Sequence, residues 1–540
     1  MPSKSSQRGL FQLVCIGLML LAGGMLAGMF FFARPSASGG DSFIPGKLRA
    51  TFALVGTQYV DPVDMDSVAE KLLPMLTREL DPHSVYIPKR EMQAANETLD
   101  GEFDGIGVIF NMMTDTATVL NVISGGPSDK AGVRNGDRII MIDDSLVAGR
   151  KIDQNRIVKM LRGKRDTKVN LQIRRAAVSG LVPIVVTRGV ITIKSIDASF
   201  IIQPGVGYIK LLSFSRNSHR ELLNCIYKLK KEGMKSLIFD LRGNSGGFLD
   251  QAILIANELL GKRQLIVYTV DRLGQRVEEY SNGHGSLSDM QLAVLVDEGS
   301  ASSSEILAGA IQDNDRGTVI GRRTFGKGLV QKQFPFVDGS ALRLTIARYY
   351  TPTGRSIQKP YSAGDEEAYS RDILNRYNHS EFFSADSIRF ADSLRFTTPK
   401  GKVVYGGGGV MPDIFVPLDT TGMTRYFVET VGRNILFRYA MQYSDQHRAA
   451  LDDISTVEQL QAFMSREVSL FDDFVAYAER NGVRRPNATE IARSRALITS
   501  QLKAYIGRNT VLEDAGFCAL IWPEDNVIVR ALEELKQPRQ

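Results

Sequence analysis

The chain has 540 residues, of which 43% are hydrophobic and 23% are charged, values that are ordinary for a globular protein. Its length predicts three or four domains. Lys and Arg number 66 and Asp and Glu number 60, so the formal net charge is only +6. Because there is no block of Lys and Arg, the composition excludes a nucleic-acid-binding groove. The cysteines and histidines show no zinc-ligand spacing, so no metal site is predicted.

The N-terminus combines basic residues with a long apolar run. Lys4 and Arg8 precede residues 10–33, which contain no charged side chain. A helix of this length extends about 36 Å, enough to cross the hydrocarbon core of a bilayer, and it exceeds the apolar core of a typical signal peptide. The pattern predicts an uncleaved signal anchor and linker over residues 1–40, with the rest of the chain exported. Cleavage near residues 35–40 is the alternative.

Four further segments follow, each with its own hydrophobic pattern. The patterns predict, in chain order, an N-terminal helical segment, a small β domain with two helices, an α/β core and a helical extension. These segments are residues 41–98, 99–190, 191–420 and 421–540, and the core carries a polar insertion at about 361–400. The predicted fold class is a multidomain protein with α/β and α+β parts behind a membrane helix.

A cluster of serines marks one loop of the α/β core. The stretch "SASSSEILAG", residues 300–309, follows the apolar run "LAVLVD". Serines at this density are typical of a loop, a helix cap or a linker, but one of them can also be a nucleophile. The sequence predicts a strand-to-helix turn here and leaves its chemical role open.

A second turn in the core is rich in glycine. In "FDLRGNSGGFLD", residues 239–250, Gly246 and Gly247 lie between a buried strand and an apolar helix. Backbone N–H groups at such a turn point outward and can bind an anion or a developing oxyanion. On the glycines alone, a tight βα turn without chemistry is the simpler interpretation.

A third stretch, "TFGKGLVQ" at residues 324–331, holds Lys327 between two glycines. An exposed lysine here would carry no chemistry. A lysine that is desolvated beside a serine has a lowered pKa, and its neutral amine can accept the serine proton. Gln331 lies four residues further on. If the segment is helical, Gln331 is one turn away and can orient the lysine.

These stretches occur in a characteristic order. The succession of "LRGNSGG", "GSASSSEILAGAIQDNDRGTVIG", "RTFGKGLVQ" and "RYYTPTGRSIQ" resembles that of the carboxyl-terminal processing peptidases, also called tail-specific proteases. The resemblance extends from about residue 47 to residue 418 and includes "YVDPVD", "LDPHSVY" and "GVMPDI". Each motif alone is weak, but their order in one chain is highly specific.

The resemblance implies roles for individual residues. Ser302 corresponds to the nucleophile of the family and Lys327 to its general base, and their separation agrees with the spacing in the family. Gln331 matches the glutamine that supports the lysine. The implied oxyanion donors are the backbone N–H groups of Gly247 and Ser303.

Ser303 stands where the family usually has alanine. A backbone donor tolerates that change, but the additional hydroxyl makes the nucleophile harder to identify from sequence. Ser304 is the main rival to Ser302 as nucleophile, and Ser300 is a weaker one. Glu305 is expected to cap the helix or pair locally, without a catalytic role.

The second segment resembles a PDZ domain, which such peptidases carry, through "GGPSDKAGVRNGDRIIMID". PDZ domains bind peptide C-termini by adding a strand to an exposed sheet edge. The resemblance implies that "DGIGVIF", residues 104–110, forms the carboxylate-binding loop and its strand. The residues implied are Ile106, Gly107 and Val108, whose backbone N–H groups would hold the carboxylate, and Val158 and Leu161, which would line the pocket for an apolar last side chain.

The resemblance implies an exported serine endopeptidase that cleaves proteins near their C-termini with a Ser–Lys dyad. Its PDZ domain would bind the substrate tail and gate activity. No metal or organic cofactor is implied, and the expected partners are substrates with free C-termini and the membrane, with an adaptor or activator and a homo-oligomer left open. The expected location is the bacterial inner membrane with the catalytic part in the periplasm, or the periplasm itself after cleavage. A catalytically inert PDZ scaffold that binds protein C-termini is the alternative function.

Overall fold

Helices form on the N-terminal side of the chain, where apolar residues recur at intervals of three and four. The computed structural model describes residues 44–112, 115–123, 125–175 and 178–537. The first elements are α1 (Ile44–Gln58), α2 (Met65–Arg78), β1 (Val85–Ile87) and α3 (Lys89–Asp100).

The predicted membrane anchor over residues 10–33 lies outside the described residues. Among the helices that the structure describes, none has both the length and the apolar character to span a bilayer. The chain divides into a unit that ends at Leu73 and a unit that begins at Pro74. The described part of the first unit holds α1 and the start of α2, and every site discussed below lies within the second unit.

Short alternating segments between residues 102 and 192 build a small β domain, as predicted. Its elements are β2 (Glu102–Gly105), β3 (Val108–Asn111), β4 (Ala117–Val122), α4 (Pro127–Ala131), β5 (Arg138–Ile142), β6 (Ser145–Leu146), α5 (Gln154–Leu161), β7 (Lys168–Arg174), β8 (Val182–Thr187) and β9 (Gly189–Thr192). The main sheet has the antiparallel order β3-β4-β5-β7-β8, with β6 on β5, while β2 pairs with β9. Buried and exposed residues alternate along β7 because one face of the sheet shares a core with α5, around Ile157 and Leu171.

The α/β core begins at residue 196. Its elements are β10 (Ile196–Gln203), β11 (Val206–Leu211), α6 (Ser218–Lys231), β12 (Ser236–Asp240), α7 (Leu249–Leu259), β13 (Leu265–Asp271), β14 (Arg276–Tyr280), β15 (Gln291–Val296), α8 (Ser303–Asp313), β16 (Thr318–Gly321), β17 (Leu329–Pro335), β18 (Ala341–Tyr350), α9 (Glu366–Asn378), β19 (Arg395–Thr397), β20 (Val403–Tyr405) and β21 (Ile414–Phe415). All side chains of β12 are buried, as in a parallel sheet that is covered on both faces.

The strands of the core form two main sheets. The larger has the order β10-β11-β12-β15-β16-β21, and its pairs from β11 to β21 are parallel. The second sheet has the order β1-β18-β13-β14, with β17 paired to β18. The helices α6, α7 and α8 cover one face of the parallel sheet through a core that includes Leu222, Ile255 and Leu307.

The carboxyl ends of the parallel strands meet at one edge of the sheet, which is where sites form in such folds. The chain leaves β12 through the glycine turn to α7 and leaves β15 through the serine cluster to α8. It leaves β16 into the loop that carries Lys327. Three stretches that are far apart in sequence are thereby brought to the same edge.

The C-terminal region is helical, as predicted. Its helices are α10 (Arg425–Gly432), α11 (Ile435–Gln446), α12 (Arg448–Asp452), α13 (Val457–Ser465), α14 (Leu470–Arg480), α15 (Ala488–Arg508), α16 (Glu513–Ile521) and α17 (Asn526–Glu534). The last two helices lie on the second face of the parallel sheet, where Ala519 and Ile528 share a core with Ile238 and Leu295. The extension therefore completes the burial of the sheet.

The polar insertion at about 361–400 packs against the core. Its helix α9 carries Arg376, whose guanidinium donates to the carbonyl oxygens of Arg323 (2.6 Å) and Thr324 (3.0 Å). Arg376 is almost fully buried there. Because these carbonyls belong to residues three and four positions before Lys327, the insertion helps to hold the loop that presents the lysine.

Candidate active site

A cavity of about 610 Å³ opens at the carboxyl edge of the parallel sheet. Its walls come from the glycine turn, the serine cluster, the lysine loop and the strands β17 and β18. The predicted catalytic and oxyanion residues all line it: Gly247, Ser302, Ser303, Lys327 and Gln331. The fold thus gathers into one cavity the side chains that sequence analysis proposed from three separate stretches.

Ser302 lies in a strained turn between β15 and α8. Its φ is 53° and its ψ is −113°, a conformation that residues other than glycine rarely adopt. A Cβ added to Gly246 would lie 2.8 Å from the Ser302 Cβ, so glycine is required opposite the turn. The turn places Ser302 on the cavity wall at the start of α8.

The neighbouring serines have structural partners. Ser300 and Ser304 are buried, and each donates to a backbone carbonyl oxygen at 2.8 Å. The Ser303 hydroxyl donates to the Gly247 carbonyl oxygen at 2.9 Å. Within the described residues, the Ser302 hydroxyl donates to no protein group. The geometry therefore favours Ser302 over its rivals as the serine that is available for chemistry.

Lys327 is oriented by a residue on a strand. Its Nζ donates to Gln331 Oε1 at 3.1 Å. The segment is not helical: residues 323–328 form a loop, and Gln331 belongs to β17, which pairs with β18. The Gln331 amide in turn donates to the His83 carbonyl oxygen. The lysine is thus held through a strand residue that is anchored on the loop between α2 and β1 (the N-terminal loop).

The surroundings of Lys327 favour its neutral form. Burial lowers the pKa of Lys327, and the positive charge of Arg343 lowers it further. The carboxylates of Glu305 and Asp81 act in the opposite sense. A neutral amine can accept a proton, as a general base must. In the described part of the chain, no hydrogen bond joins Lys327 Nζ to Ser302 Oγ, although both residues line the cavity.

Glu305 connects the serine turn with the lysine loop. Its buried carboxylate accepts hydrogen bonds from the backbone N–H groups of Ser302 (2.9 Å), Gly326 (2.7 Å) and Lys327 (2.8 Å) and from the Thr324 hydroxyl (2.5 Å). Burial raises the pKa of Glu305 to about 7, and these hydrogen bonds act against that rise. Sequence analysis assigned this residue only a local role. The signal that pointed further was an acidic side chain within an otherwise small and apolar helix start.

The backbone N–H groups of Gly247 and Ser303, both on the cavity wall, have no protein acceptor among the described residues. Gly247 has a φ of 149°, and a Cβ there would lie 2.3 Å from the Phe214 carbonyl oxygen. Glycine is therefore required for the turn to pack against Phe214. Ser303 is the first residue of α8, where the N–H has no partner within the helix. Both groups are placed to donate to an oxyanion.

The histidine of the N-terminal loop has a structural role. His83 Nε2 is hydrogen-bonded to the Tyr369 hydroxyl of α9 at 2.9 Å, and its backbone N–H donates to Asp81 at 2.8 Å. Burial lowers the pKa of His83 to about 4, and the positive charge of Lys327 contributes. The neutral ring steadies the loop whose carbonyl holds Gln331. No group of three His, Cys, Asp or Glu side chains in the described residues is arranged to hold a metal ion.

The predicted carboxylate-binding loop of the β domain lies between β2 and β3. Gly107 has a φ of 74°, which favours glycine, and Ile106 is buried. Within the described residues, the backbone N–H groups of Ile106 and Gly107 have no protein acceptor. Val108 begins β3, which is an end strand of its sheet. Among the described strands, β3 pairs with β4 alone, so its other edge faces no strand. The loop and the strand edge are therefore arranged as peptide recognition by strand addition requires.

The two predicted pocket residues on α5 differ in their surroundings. Leu161 is 4% exposed and belongs to the core of the domain together with Ile157. Val158, one turn earlier, is only partly buried. Leu161 is thus a core side chain here, and the role of Val158 in a pocket for the last substrate residue stays a prediction.

Comparison with known proteins covers three parts of the chain. The profile of Peptidase family S41 matches residues 205–367, and that of the PDZ domain matches residues 105–184. A family of unknown function (DUF8443) matches residues 426–511 in the helical extension.

Two curated relatives and one solved structure show how far the similarity extends. A carboxy-terminal-processing protease of Bartonella bacilliformis is 36% identical over 312 residues, which are 57% of this chain and 71% of that protein. A probable CtpA-like serine protease of Staphylococcus aureus is 32% identical over 358 residues, 65% of this chain and 71% of that protein. The photosystem II D1 C-terminal processing protease aligns with 70% of this chain and 88% of its own at 26% identity, with a TM-score of 0.37.

The two family profiles and the two curated relatives favour the peptidase over the inert scaffold that the sequence left as an alternative. They agree with a cavity in which a serine, a lysine and two backbone donors lie together. The chain therefore belongs to peptidase family S41, with carboxy-terminal-processing proteases among its relatives, and it is a serine peptidase that carries a PDZ domain.

Proposed function

We propose that the protein cleaves protein substrates near their C-termini with a Ser302–Lys327 dyad. The observation that carries the proposal is the cavity that both residues line, with the Ser302 hydroxyl donating to no described protein group and Lys327 held by Gln331. Glu305 would position both parts of the dyad, because it accepts from the backbone N–H groups of each.

The reaction follows the chemistry of serine nucleophiles. The neutral amine of Lys327 takes the Ser302 proton as Oγ attacks the scissile carbonyl carbon. The N–H groups of Gly247 and Ser303 would stabilise the oxyanion. Collapse breaks the C–N bond, and the leaving amine takes the proton from Lys327. Water then attacks the acyl-enzyme ester, with the same amine as base. The ester C–O bond breaks, Ser302 Oγ takes the proton back from Lys327, and the new carboxylate product leaves. Contact between the dyad atoms would tighten when substrate is bound, as catalytic hydrogen bonds often do.

The PDZ domain would bind the tail of the substrate. The N–H groups of Ile106 and Gly107 would hold the terminal carboxylate, and the tail would add a strand beside β3. These loop residues do not line the peptidase cavity. Tail binding and cleavage would therefore take place at separate sites of one substrate, which places the cut at a distance from the bound end.

We also propose that residues 10–33 anchor the protein in the bacterial inner membrane, with the peptidase in the periplasm. The support is the uncharged run of these residues and the two basic residues that precede it.

The dyad is tested by three serine and lysine variants. Ser302→Ala and Lys327→Ala are each expected to abolish cleavage of an unstructured protein that ends in an apolar free carboxylate, because each removes a reacting group. Ser304→Ala is the matched control and should retain cleavage, since its hydroxyl donates to the backbone. The rate of the wild type should rise with pH as Lys327 loses its proton, at a pH below the ~10.4 of a free lysine because burial lowers the pKa of Lys327. If the folded Ser304→Ala variant lost cleavage while Ser302→Ala retained it, the assignment of Ser302 as the nucleophile would be contradicted.

Glu305→Gln should lower kcat/KM by at least about 100-fold, because a misplaced catalytic group costs rate on this scale. Each carboxylate oxygen accepts two hydrogen bonds, and an amide would turn its NH₂ toward two donors. Glu298→Gln is the control, because Glu298 pairs with Arg322 and makes no contact with the dyad. Kinetics on folded variants, checked by circular dichroism, measure the effect. Equal activity of both variants would show that Glu305 does not position the dyad.

Amidation of the substrate tail should raise KM and leave kcat nearly unchanged, because it removes the carboxylate that the PDZ loop would hold. Gly107→Val should make the KM values for the free and the amidated tail equal. A Cβ at this position lies 2.9 Å from the Ile191 side chain, and the φ is unfavourable for valine. Gly180→Ala, a positive-φ glycine with open space around it, should keep the difference. Equal KM values for both tails in the wild type would count against tail recognition.

The membrane location is tested by fractionation of bacteria that express the full chain. The protein should sediment with membranes, require detergent for extraction and be digested by protease added to spheroplasts. A protein that lacks residues 10–33 should appear in the soluble fraction once the cells are lysed. Full-length protein that is soluble and protected from external protease would contradict both the anchor and the export.

A further inference from the structure

The peptidase cavity carries an unbalanced positive charge. Among its described lining residues, the charged side chains are those of Asp100, Arg216, Lys327 and Arg343. Asp100 and Arg216 form an ion pair at 3.1 Å and cancel each other. Lys327 must be neutral to act as the base. Arg343 is therefore the one lining charge of the working enzyme that no other lining group balances.

Arg343 lies in the middle of the second sheet, on β18 between β1 and β17. Its Nη2 donates to Gln333 Oε1 at 2.9 Å, and Gln333 Nε2 donates to Asn96 Oδ1 at 3.3 Å. All three side chains line the cavity. The described residues offer the guanidinium no further acceptor and no carboxylate, so most of its five N–H donors are unused.

This environment makes Arg343 a receptor for a negative charge. Burial lowers the pKa of Arg343, and no carboxylate acts against that effect. Arginine nevertheless keeps its proton at neutral pH. A cation that has lost part of its hydration without gaining a counter-charge attracts an anion more strongly than it would in water. The planar fork of the guanidinium also matches the two oxygens of a carboxylate.

From this geometry we propose that Arg343 binds a carboxylate of the substrate inside the peptidase cavity. The inference rests on the proposed function and adds a specificity determinant to it. Two parts of a peptide supply such a group: the C-terminal residue and an Asp or Glu side chain near the scissile bond. Gln333 and Asn96 extend the polar wall from Arg343 and would contact the peptide beside the carboxylate.

Arg343 also acts on the catalytic base, and the test must separate this effect from substrate binding. The groups that surround Lys327 are Asp81 and His83 of the N-terminal loop, Glu305 of α8, Gln331 of β17, and Arg343 and Tyr349 of β18. Removing the charge of Arg343 raises the pKa of Lys327 and moves the rise in rate to higher pH. This shift does not depend on the charge of the substrate. Charged and neutral substrates are therefore compared at a pH above the range in which the cleavage rate rises, where any difference between them reports carboxylate binding.

The experiment uses peptides that differ by one charge. One pair has a free or an amidated C-terminus, and a second series has Glu or Gln at each of the three positions on either side of the cut. The ratio of kcat/KM for the acid to that for the neutral peptide is measured for the full chain and for Arg343→Gln and Arg343→Lys. We expect a wild-type ratio of about 10 or more in one series, since a hydrogen bond to a charged group contributes on this scale. Arg343→Gln should bring that ratio close to one, and Arg343→Lys should give an intermediate value, mainly through KM.

Arg216→Gln is the matched control, because Arg216 lines the same cavity but already has a carboxylate partner. It should keep the wild-type ratio. The series that responds identifies the source of the carboxylate. A preference for free tails that persists in Arg343→Gln is assigned to the PDZ domain. This result would overturn the inference for the C-terminal carboxylate. Wild-type ratios of one, or an Arg343→Gln variant that changes all peptides equally, would overturn it altogether.

Binding gives a readout that does not need turnover. The same peptides are titrated into Ser302→Ala and into Ser302→Ala combined with Arg343→Gln, and the ratios of Kd are compared. A loss of the acid preference in the double variant supports the inference even if the cleavage proposed above fails. Equal ratios in both variants would contradict it while leaving the dyad untouched.

Discussion

The buried carboxylate of Glu305 is the contact on which the arrangement of the site depends. It lies in the first turn of α8 and accepts hydrogen bonds from both the serine turn and the lysine loop. A carboxylate without water or donors is strongly destabilising in a protein interior, so these four donors cannot leave it separately. The turn that presents Ser302 and the loop that presents Lys327 are thereby tied into one unit, although only the first belongs to the same helix as Glu305.

Three other parts of the chain support that unit. The parallel sheet fixes where the turn and the loop emerge, and the C-terminal extension closes the sheet face that the core helices leave open, with Ile528 packed near Ile238. The insertion clamps the lysine loop through Arg376, and the N-terminal loop holds Gln331 through the His83 carbonyl. The N-terminal loop and the insertion, which lie on either side of the catalytic stretches in the chain, thus both help to fix the position of the Lys327 amine.

The electrostatics of the cavity follow from this convergence. Burial and the neighbouring Arg343 favour the neutral form of Lys327, and Glu305 opposes them from beneath the loop. The carboxylates of Glu305 and Asp81, near the lysine, accept hydrogen bonds from backbone N–H groups and are therefore weak partners for a cation. Among the described residues, a lysine whose surroundings favour its neutral form and an arginine without a counter-charge therefore lie in one cavity. This arrangement suits a site that receives a negatively charged group from outside the protein.

Much of the chemistry could be read from the sequence, because local patterns encode local structure. The serine cluster after an apolar strand, the glycine turn and the lysine between glycines marked three candidate turns. The resemblance to the processing peptidases implied which of their residues would meet, and Ser302, Lys327, Gln331, Gly247 and Ser303 line one cavity. The four-residue interval between Lys327 and Gln331 would place them one turn apart on a helix, but strand pairing between β17 and β18 puts Gln331 on a strand. The partners of Glu305, the clamp by Arg376 and the unbalanced charge of Arg343 were decided only by the tertiary structure. Each depends on segments far apart in the chain, and only packing determines which buried donors and charges meet.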